Sequence, residues 1–273
     1  MKITFLGSGA ASGIPMLYCD CRTCTHARKH RGRNIRKRCS YMINDDLLVD
    51  MGPDLSTACA MHNVHLINTK YALITHSHLD HFFTLNLKLH ARIYHQNDAV
   101  PPIILVAPPS VMTLLNNSDT ASVDINVRPR SVLPYDRVEL PPYHVKAVKA
   151  NHFPAIGDAV NYIIDDGKRR ILIASDTGVY HDEVWGHLEN LNLDVLIIEC
   201  TRGLKSGHFE FHMNIEGVQF MLEKMRSIQA VTEHTSIYVT HFSHHFVPPH
   251  DELREILQGL GLYCVYDGLK IEI

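Results

Sequence analysis

The sequence has no apolar run long enough to cross a bilayer, and Met1 to Gly7 alternates like a strand where a signal peptide would carry its apolar core. We therefore expect no membrane partner and a soluble, cytoplasmic protein. The chain also lacks a large excess of either charge. Its formal net charge of -3 argues against a protein built mainly to coat nucleic acid.

Nothing in the composition divides the chain, and we interpret residues 1–273 as one domain. The hydrophobic fraction of 45% and the charged fraction of 20% are ordinary globular values, which exclude a disordered protein. The 7 cysteines are odd in number, and Cys19, Cys21 and Cys24 are crowded together. This usage favours metal binding in a reducing compartment over a disulfide framework.

The densest group of metal-ligand types follows the apolar run Tyr71 to Ile74, which we interpret as a short buried strand. His76 and His78 have the i, i+2 spacing that directs both rings to one side, while Asp80 and His81 follow a turn and can reach a second position. Packing these polar groups together without a cation would leave them competing for desolvated space. The stretch therefore predicts a binuclear metal site.

Other predicted strands also end in histidines or acids. A strand over Val145 to Val148 precedes one histidine, and three further apolar runs end in the same way. The side chains at these strand ends are His152, Asp176, Glu199 and His241. A further histidine, His212, stands just before a predicted helix over Asn214 to Ile228. Strands that alternate with helices and place ligands at one set of strand ends predict an α/β sandwich with one active rim.

Two less specific patterns lie near the beginning of the chain. The C-x-C-x-x-C spacing of Cys19, Cys21 and Cys24 brings three thiolates within reach of one ion, although chance clustering or a redox role would give the same pattern. The segment from Arg28 to Arg38 is strongly basic. Such a run is either a solvated face or a source of arginines that bind an anionic substrate near the metals.

Local patterns also predict several connections. Asn44-Asp45-Asp46 and Asp165-Asp166-Gly167 have the chemistry of hairpin turns between short strands. The apolar spacing of Leu85, Leu89 and Ile93 predicts a helix over Phe82 to His95, with His81 near its start. A final hairpin is predicted around Asp267-Gly268.

The loop from His76 to His81 resembles the H-x-H-x-D-H signature of the metallo-β-lactamase fold superfamily, and related motifs occur in the expected order from Gly7 to His244. The resemblance implies a four-layer αββα sandwich with the metal site at one rim. It also implies that Asp50 supports the ligands from behind. The implied ligands are His76, His78 and His152 for the first metal, Asp80, His81 and His241 for the second, and Asp176 as a bridge between both.

A narrower resemblance comes from the combination of Gly7-Ser8-Gly9, the cysteine cluster and Thr240 to His244. This combination is similar to the PhnP-like phosphodiesterases of the carbon-phosphorus lyase pathway. It implies a separate structural zinc, closed and four-coordinate, bound by Cys19, Cys21, Cys24 and His244. From the residues alone, Cys39, His26 and His30 remain competing fourth ligands.

The resemblance implies a hydrolase of small, including cyclic, phosphodiesters, which uses a hydroxide held by two divalent ions. Zinc, manganese and iron all suit the ligand set. Asp80 and His212 are the implied catalytic residues, and His212 would contact the phosphate or protonate the leaving oxygen. An RNase Z-like nuclease acting on RNA or DNA ends is the alternative. Hydrolysis of β-lactams or thioesters and a non-enzymatic metal scaffold are less favoured. The sequence leaves open whether the chain pairs with a second copy of itself as a homodimer.

Overall fold

A computed structural model describes residues 1–95, 100–207 and 210–273, and within them the strands form two sheets of seven. The apolar runs identified in the sequence form most of the central strands. In chain order the strands are β1 (Lys2–Gly7), β2 (Ser40–Ile43), β3 (Leu47–Val49), β4 (Tyr71–Leu73), β5 (Ile103–Ala107), β6 (Val127–Ser131), β7 (Arg137–Leu140), β8 (Tyr143–Lys149), β9 (Val160–Asp165), β10 (Arg170–Ala174), β11 (Val195–Glu199), β12 (Ser236–Thr240), β13 (Tyr263–Cys264) and β14 (Lys270–Glu272).

Helices occupy the outer faces of both sheets. They are α1 (Arg22–His30), α2 (Leu55–His62), α3 (Leu85–Lys88), α4 (Pro109–Asn116), α5 (Asp182–Trp185), α6 (Ile215–Ser227) and α7 (His250–Gly259), with short 3₁₀ turns at Gly32–Asn34, Arg92–Tyr94 and Asp119–Ser122. Asn214 accepts a hydrogen bond from the backbone N–H of Gly217 and so caps α6, as its residue type predicts. Of the helices in the described residues, none has the length and apolar character needed to cross a membrane.

The strand order brings many carboxyl ends to one edge. The first sheet runs β14-β1-β2-β3-β4-β5-β6 and the second runs β13-β12-β11-β10-β9-β8-β7. Strands β3 to β6 are mutually parallel, as are β10 to β13. Because β8 and β10 both pair antiparallel with β9, they point the same way as each other. Loops after these strands can therefore meet at a common rim.

Three clusters of buried apolar side chains fill the spaces between the layers. One lies between the sheets and joins side chains such as Tyr41 and Leu73 of the first sheet to Tyr162 and Ile197 of the second. The other two lie between each sheet and its own helices. This arrangement is the four-layer αββα sandwich, so the predicted fold class is confirmed.

The hairpin predictions from the central turns are confirmed. Strands β2 and β3 pair antiparallel across the Asn44–Asp46 turn, and β9 pairs with β10 across the turn at Gly167. The prediction of a hairpin around Asp267-Gly268 is wrong. The strand before that turn, β13, joins β12 in the second sheet, whereas β14 joins β1 in the first. The turn therefore carries the chain from one sheet to the other.

The predicted helix over Phe82 to His95 is also wrong. Only α3 and the 3₁₀ turn at Arg92–Tyr94 form there, and His81 lies in the turn before them. The three residues that suggested an amphipathic helix are largely exposed: Leu85 by 45%, Leu89 by 46% and Ile93 by 75%. Leu87 is the buried residue of α3. The spacing of these three apolar residues is that of one face of a helix, but their side chains do not face the core.

The basic run does not form one surface. The side chains of Arg36 and Lys37 are buried, so neither proposed role, solvated face or substrate contact, applies to them. Arg36 Nη1 donates to Ser8 Oγ at 2.8 Å and to the Val265 carbonyl at 2.5 Å. Lys37 Nζ lies 3.5 Å from the Asp267 carboxylate. These contacts join the N-terminal loop to the chain before β14.

We expect Asp267→Asn to lower the free energy of unfolding by about 3 kcal/mol, because it leaves the buried ammonium of Lys37 without its counter-charge. Urea unfolding of the metal-loaded protein measures this loss. Asp45→Asn is the matched control. Asp45 is 78% exposed and 3.8 Å from Lys2, so its removal should cost less than about 0.5 kcal/mol. Equal losses in the two variants would contradict this account of Asp267.

Candidate functional site

The loop after β4 supplies the first donor set at the rim. His76 Nε2 lies 3.0 Å from His78 Nδ1, and His152 Nε2, from the loop after β8, lies 3.1 Å from the same atom. Asp176, from the loop after β10, places Oδ2 at 3.4 Å from His76 Nε2. Three imidazole nitrogens and one carboxylate oxygen thus converge within a space that one ion would fill.

A second donor set adjoins the first. His81 Nε2 is 3.3 Å from Asp80 Oδ2 and 3.1 Å from Asp176 Oδ2, and His241 Nε2, from the loop after β12, is 2.7 Å from Asp176 Oδ1. Asp176 therefore belongs to both sets. The structure brings together all seven side chains that the sequence predicts as ligands of the binuclear site.

The donor atoms fit metal ions better than they fit one another. Among the atoms of these two donor sets, three are buried without a hydrogen-bond partner: His81 Nε2, Asp176 Oδ1 and His241 Nε2. These three atoms lie close to one another, but their angles do not allow hydrogen bonds between them. A buried polar atom without a partner is costly, and a cation bound by all three would remove that cost. The chemistry of the set, imidazole with carboxylate, suits zinc, manganese or iron.

Polar groups behind the site orient most of the imidazoles. The Asp50 carboxylate lies 2.7 Å from His81 Nδ1 and also accepts from the backbone N–H of Thr75, as the predicted supporting role requires. Thr75 Oγ1 lies 3.0 Å from His76 Nδ1, and Thr201 Oγ1 lies 2.8 Å from His241 Nδ1. Holding Nδ1 in this way leaves Nε2 directed at the ion site.

Three of the rim residues have a strained backbone. Asp50, Asp176 and His241 have φ values of 58°, 48° and 57°, in the left-handed region that residues other than glycine seldom adopt. Each follows a strand within two residues. The sharp bend turns the side chain back over the strand end, and such strain is typical of functional sites.

Charge at the site favours cations. Burial, with the nearby charge of His81, lowers the pKa of His76 to about 3. Burial alone would also lower the pKa of His81, but Asp176, Asp80 and Asp50 together raise it well above its usual range. The carboxylates thus create a negative potential that a proton neutralises when no metal does so.

His212 stands at the edge of both donor sets. Its ring centroid is 5.0 Å from that of His152 and 6.1 Å from that of His241. The Glu199 carboxylate accepts the hydrogen bond of His212 Nδ1 at 2.8 Å, and it also accepts from the backbone N–H groups of Thr177 and Thr201. Burial alone would lower the pKa of His212, but Glu199 raises it to about 9.

Asn151 fastens the loop that carries His212 to the rim. Its Nδ2 donates to the carbonyls of Val179 and Glu210, at 2.9 and 3.0 Å. The contact needs glycine at position 178, because a Cβ there would lie 1.9 Å from the Glu210 carbonyl oxygen. Two residues of this loop, His208 and Phe209, lie outside the described residues.

A separate donor set lies beyond the rim. The sulfur atoms of Cys19 and Cys21 are 3.4 and 3.6 Å from His244 Nδ1, and Cys24 completes the group. Partial burial opposes ionisation of Cys21, but hydrogen bonds, first from the backbone of Cys24, lower the pKa of its thiol. Burial raises the pKa of Cys24 to about 12, so an ion bound there would have to displace its proton.

Within the described residues, the cysteine donor set includes His244 but none of the competing fourth ligands, Cys39, His26 and His30. Cys39 is buried, with its sulfur 3.6 Å from Thr240 Oγ1. The rings of His26 and His30 stack on each other, with centroids 4.1 Å apart. The geometry thus favours His244 as the fourth member of the cysteine group.

Sequence reasoning noticed Glu199 only as an acid at a strand end, and it missed Thr201 altogether. No spacing rule links Glu199 to His212, which lies 13 residues away. The available signal was the repeated pattern of apolar strand followed by acid, which β10 and β11 share.

The chain belongs to the β-lactamase superfamily, because the Beta-lactamase superfamily domain matches residues 46–241. A segment of 85 residues is also 32% identical to an octanoyltransferase from Porphyromonas gingivalis. That match covers 30% of this chain and 16% of the octanoyltransferase, so the chain spans only a small part of that relative's length.

Solved structures share the whole fold. A diphosphatase from the PhnP family has a TM-score of 0.78 at 22% identity, covering 100% of this chain and 96% of the other. Zn²⁺-bound PqqB from Methylobacterium extorquens has a TM-score of 0.78 at 17% identity, with 100% of each chain covered. Human tRNase Z, short form, has a TM-score of 0.70 at 18% identity, covering 100% of this chain and 99% of the other.

These likenesses confirm the metallo-β-lactamase fold and the resemblance to PhnP-like proteins. Superfamily membership and the adjacent donor sets support a metal-dependent hydrolase as the class of this protein.

We expect Cys21→Ser to remove about one zinc ion per chain and to lower stability, because a Cys₃His site contributes its binding energy to folding. Elemental analysis of the purified protein measures the metal content. Cys59→Ser is the matched control, since Cys59 is partly buried and belongs to none of the donor sets found in the described residues. Full zinc content in Cys21→Ser would refute the structural site.

Proposed function

We propose that the protein is a metal-dependent phosphodiesterase that hydrolyses small phosphodiesters at the rim. The observation that carries this proposal is the pair of donor sets joined by Asp176, with His212 at their shared edge. Two adjacent divalent ions, when bound, supply an acidified water and neutralise the charge of a phosphate. The seven ligand residues would position both ions, and Asp80 would act through the second one.

His212 is suited to deliver a proton to the leaving oxygen. Its Nδ1 is held by Glu199, which is fully buried, so Nε2 is the nitrogen that a substrate can reach. The His212 side chain is 22% exposed, which is enough for contact with a bound ester. The negative charge of Glu199 favours the protonated imidazole, and a positioned acid of this kind contributes about 10²- to 10⁴-fold in rate.

The alternative, a nuclease acting on polymer ends, rests on the fold shared with tRNase Z and on the basic run. The contacts made by residues of the basic run weaken the nuclease alternative. Besides the buried Arg36 and Lys37, Arg38 pairs with Asp54 at 2.9 Å, and Arg28 donates to the carbonyls of Cys19 and Met16. Two of the cations are thus paired with acids, and the donors of Arg28 and Arg36 are bound to groups of the protein itself, which leaves fewer of them to contact a polyanion and favours small esters as substrates.

Substrate comparison tests the proposal. The metal-loaded protein should hydrolyse bis(p-nitrophenyl) phosphate and cyclic nucleotides, with turnover that a chelator abolishes and added zinc or manganese restores. The same preparations should be incubated with a tRNA precursor and a labelled oligonucleotide. Turnover of the polymers alone would sink the small-ester proposal in favour of the nuclease.

We expect His212→Ala to lower kcat by about 10²- to 10⁴-fold on esters with an alkoxide leaving group, because their leaving oxygen needs a proton. The loss should be much smaller on esters that release p-nitrophenolate, a more stable anion. Initial rates on both types of ester measure this difference, and elemental analysis should show unchanged metal content.

His234→Ala serves as the control for His212→Ala. The side chain of His234 is 88% exposed and pairs with Glu233 away from the rim, so its removal should change neither rate. If His212→Ala were as active as the parent on both ester types, the rim would be a metal scaffold without this acid.

A further inference from the structure

Phe153 is an exposed aromatic side chain beside the candidate metal ligands. It follows His152 directly in the chain, yet 51% of its surface is exposed. Its ring centroid lies 6.2 Å from that of His78 and 6.4 Å from that of His152. An isolated exposed phenylalanine is common on protein surfaces, so exposure alone implies nothing.

A second aromatic residue supports Phe153 from the opposite loop. Phe211 directly precedes His212, and its ring centroid is 5.7 Å from that of Phe153, with the planes inclined at 53°. The carbonyl of Phe211 lies 3.4 Å from His152 Nδ1. The two rings therefore form one aromatic pair beside the metal-ligand candidates, with Phe153 adjoining His152 in the chain and Phe211 adjoining the candidate acid His212.

The apolar border continues on the neighbouring loop. Leu79, between His78 and Asp80, is 65% exposed. Phosphate needs no apolar contact, since its oxygens are bound by ions and by hydrogen-bond donors. Apolar and aromatic side chains beside an ionic centre instead suit the organic part of a substrate, and an aromatic face suits a planar group best.

We propose that Phe153, supported by Phe211, determines specificity by stacking against a planar aromatic group, such as a nucleobase, that the substrate carries one sugar away from its phosphodiester. This inference rests on the phosphodiesterase activity proposed above and narrows its substrate class. Stacking of a base on an aromatic side chain is tolerant of base identity, so the site would select nucleotide esters as a class.

Two esters with the same leaving group test the inference. Thymidine 5′-(p-nitrophenyl phosphate) and methyl p-nitrophenyl phosphate both release p-nitrophenolate, and only the first carries a base. The parent protein should prefer the thymidine ester. Phe153→Ala should lower kcat/KM for the thymidine ester by about 10-fold, within the range that stacking supplies, and change that of the methyl ester by less than about twofold.

Two further variants separate stacking from other effects. Phe153→Trp keeps an aromatic face and should retain the preference for the thymidine ester. Phe220→Ala is the matched control, because Phe220 is similarly exposed, at 47%, but lies on α6 outside the aromatic pair. It should leave both rates unchanged. Metal content and urea unfolding should show that each variant is folded and loaded.

Binding gives a readout that does not depend on turnover. In calorimetric titrations of the metal-loaded protein, Phe153→Ala should weaken binding of thymidine 5′-monophosphate by about 10-fold and leave binding of inorganic phosphate unchanged. If neither ester is hydrolysed by the parent protein, the phosphodiesterase proposal fails while this titration still tests Phe153. If both esters are hydrolysed and Phe153→Ala affects them equally or not at all, the role of Phe153 is refuted and the phosphodiesterase stands.

Discussion

The buried carboxylate of Asp176 is the group on which the rim depends. It is 3% exposed, and imidazoles from three different loops lie within 4 Å of it: His76 and His81, His152, and His241. A carboxylate in such a place is stable only when positive charge or hydrogen bonds compensate its lost hydration. The convergence of four imidazoles on one acid explains why the ligand loops must come from both sheets, and why the sandwich has to form before the site exists.

Bringing these side chains together requires a strained backbone. The buried strands before the bends and the residues behind the ligands hold that backbone in place. Asp50, Asp176 and His241 adopt left-handed backbone conformations directly after buried strands. Asp50 binds both Thr75 and His81, while Glu199 binds Thr177, Thr201 and His212. Asp50 therefore holds two points of the loop after β4, and Glu199 holds the loops after β10 and β11 together. Removing one would disturb ligands that it does not touch.

The sequence predicted which side chains gather at the rim because their signals are local. A short apolar run ending in a histidine or an acid marks a strand end, and His76 to His81 carry four donors in one loop. Pairing between distant segments has no such signal. The turn at Asp267-Gly268 shows that the chain reverses, but only tertiary packing decides that β13 and β14 join different sheets. Likewise, the burial of Arg36 depends on Ser8, Val265 and His250, which no pattern in the basic run reveals.

The cysteine group and the rim are linked through one short loop. His241 belongs to the second donor set and His244, three residues later, to the cysteine set. Between them, Phe242 bonds through its backbone to Ser8 and Ala10, and the Arg36 guanidinium lies 4.6 Å from its ring. Thr23 Oγ1 donates to the Val247 carbonyl and fastens α1 to the far end of the same loop. An ion held by the cysteines and His244 would thus fix the loop on which His241 depends, without taking part in the chemistry.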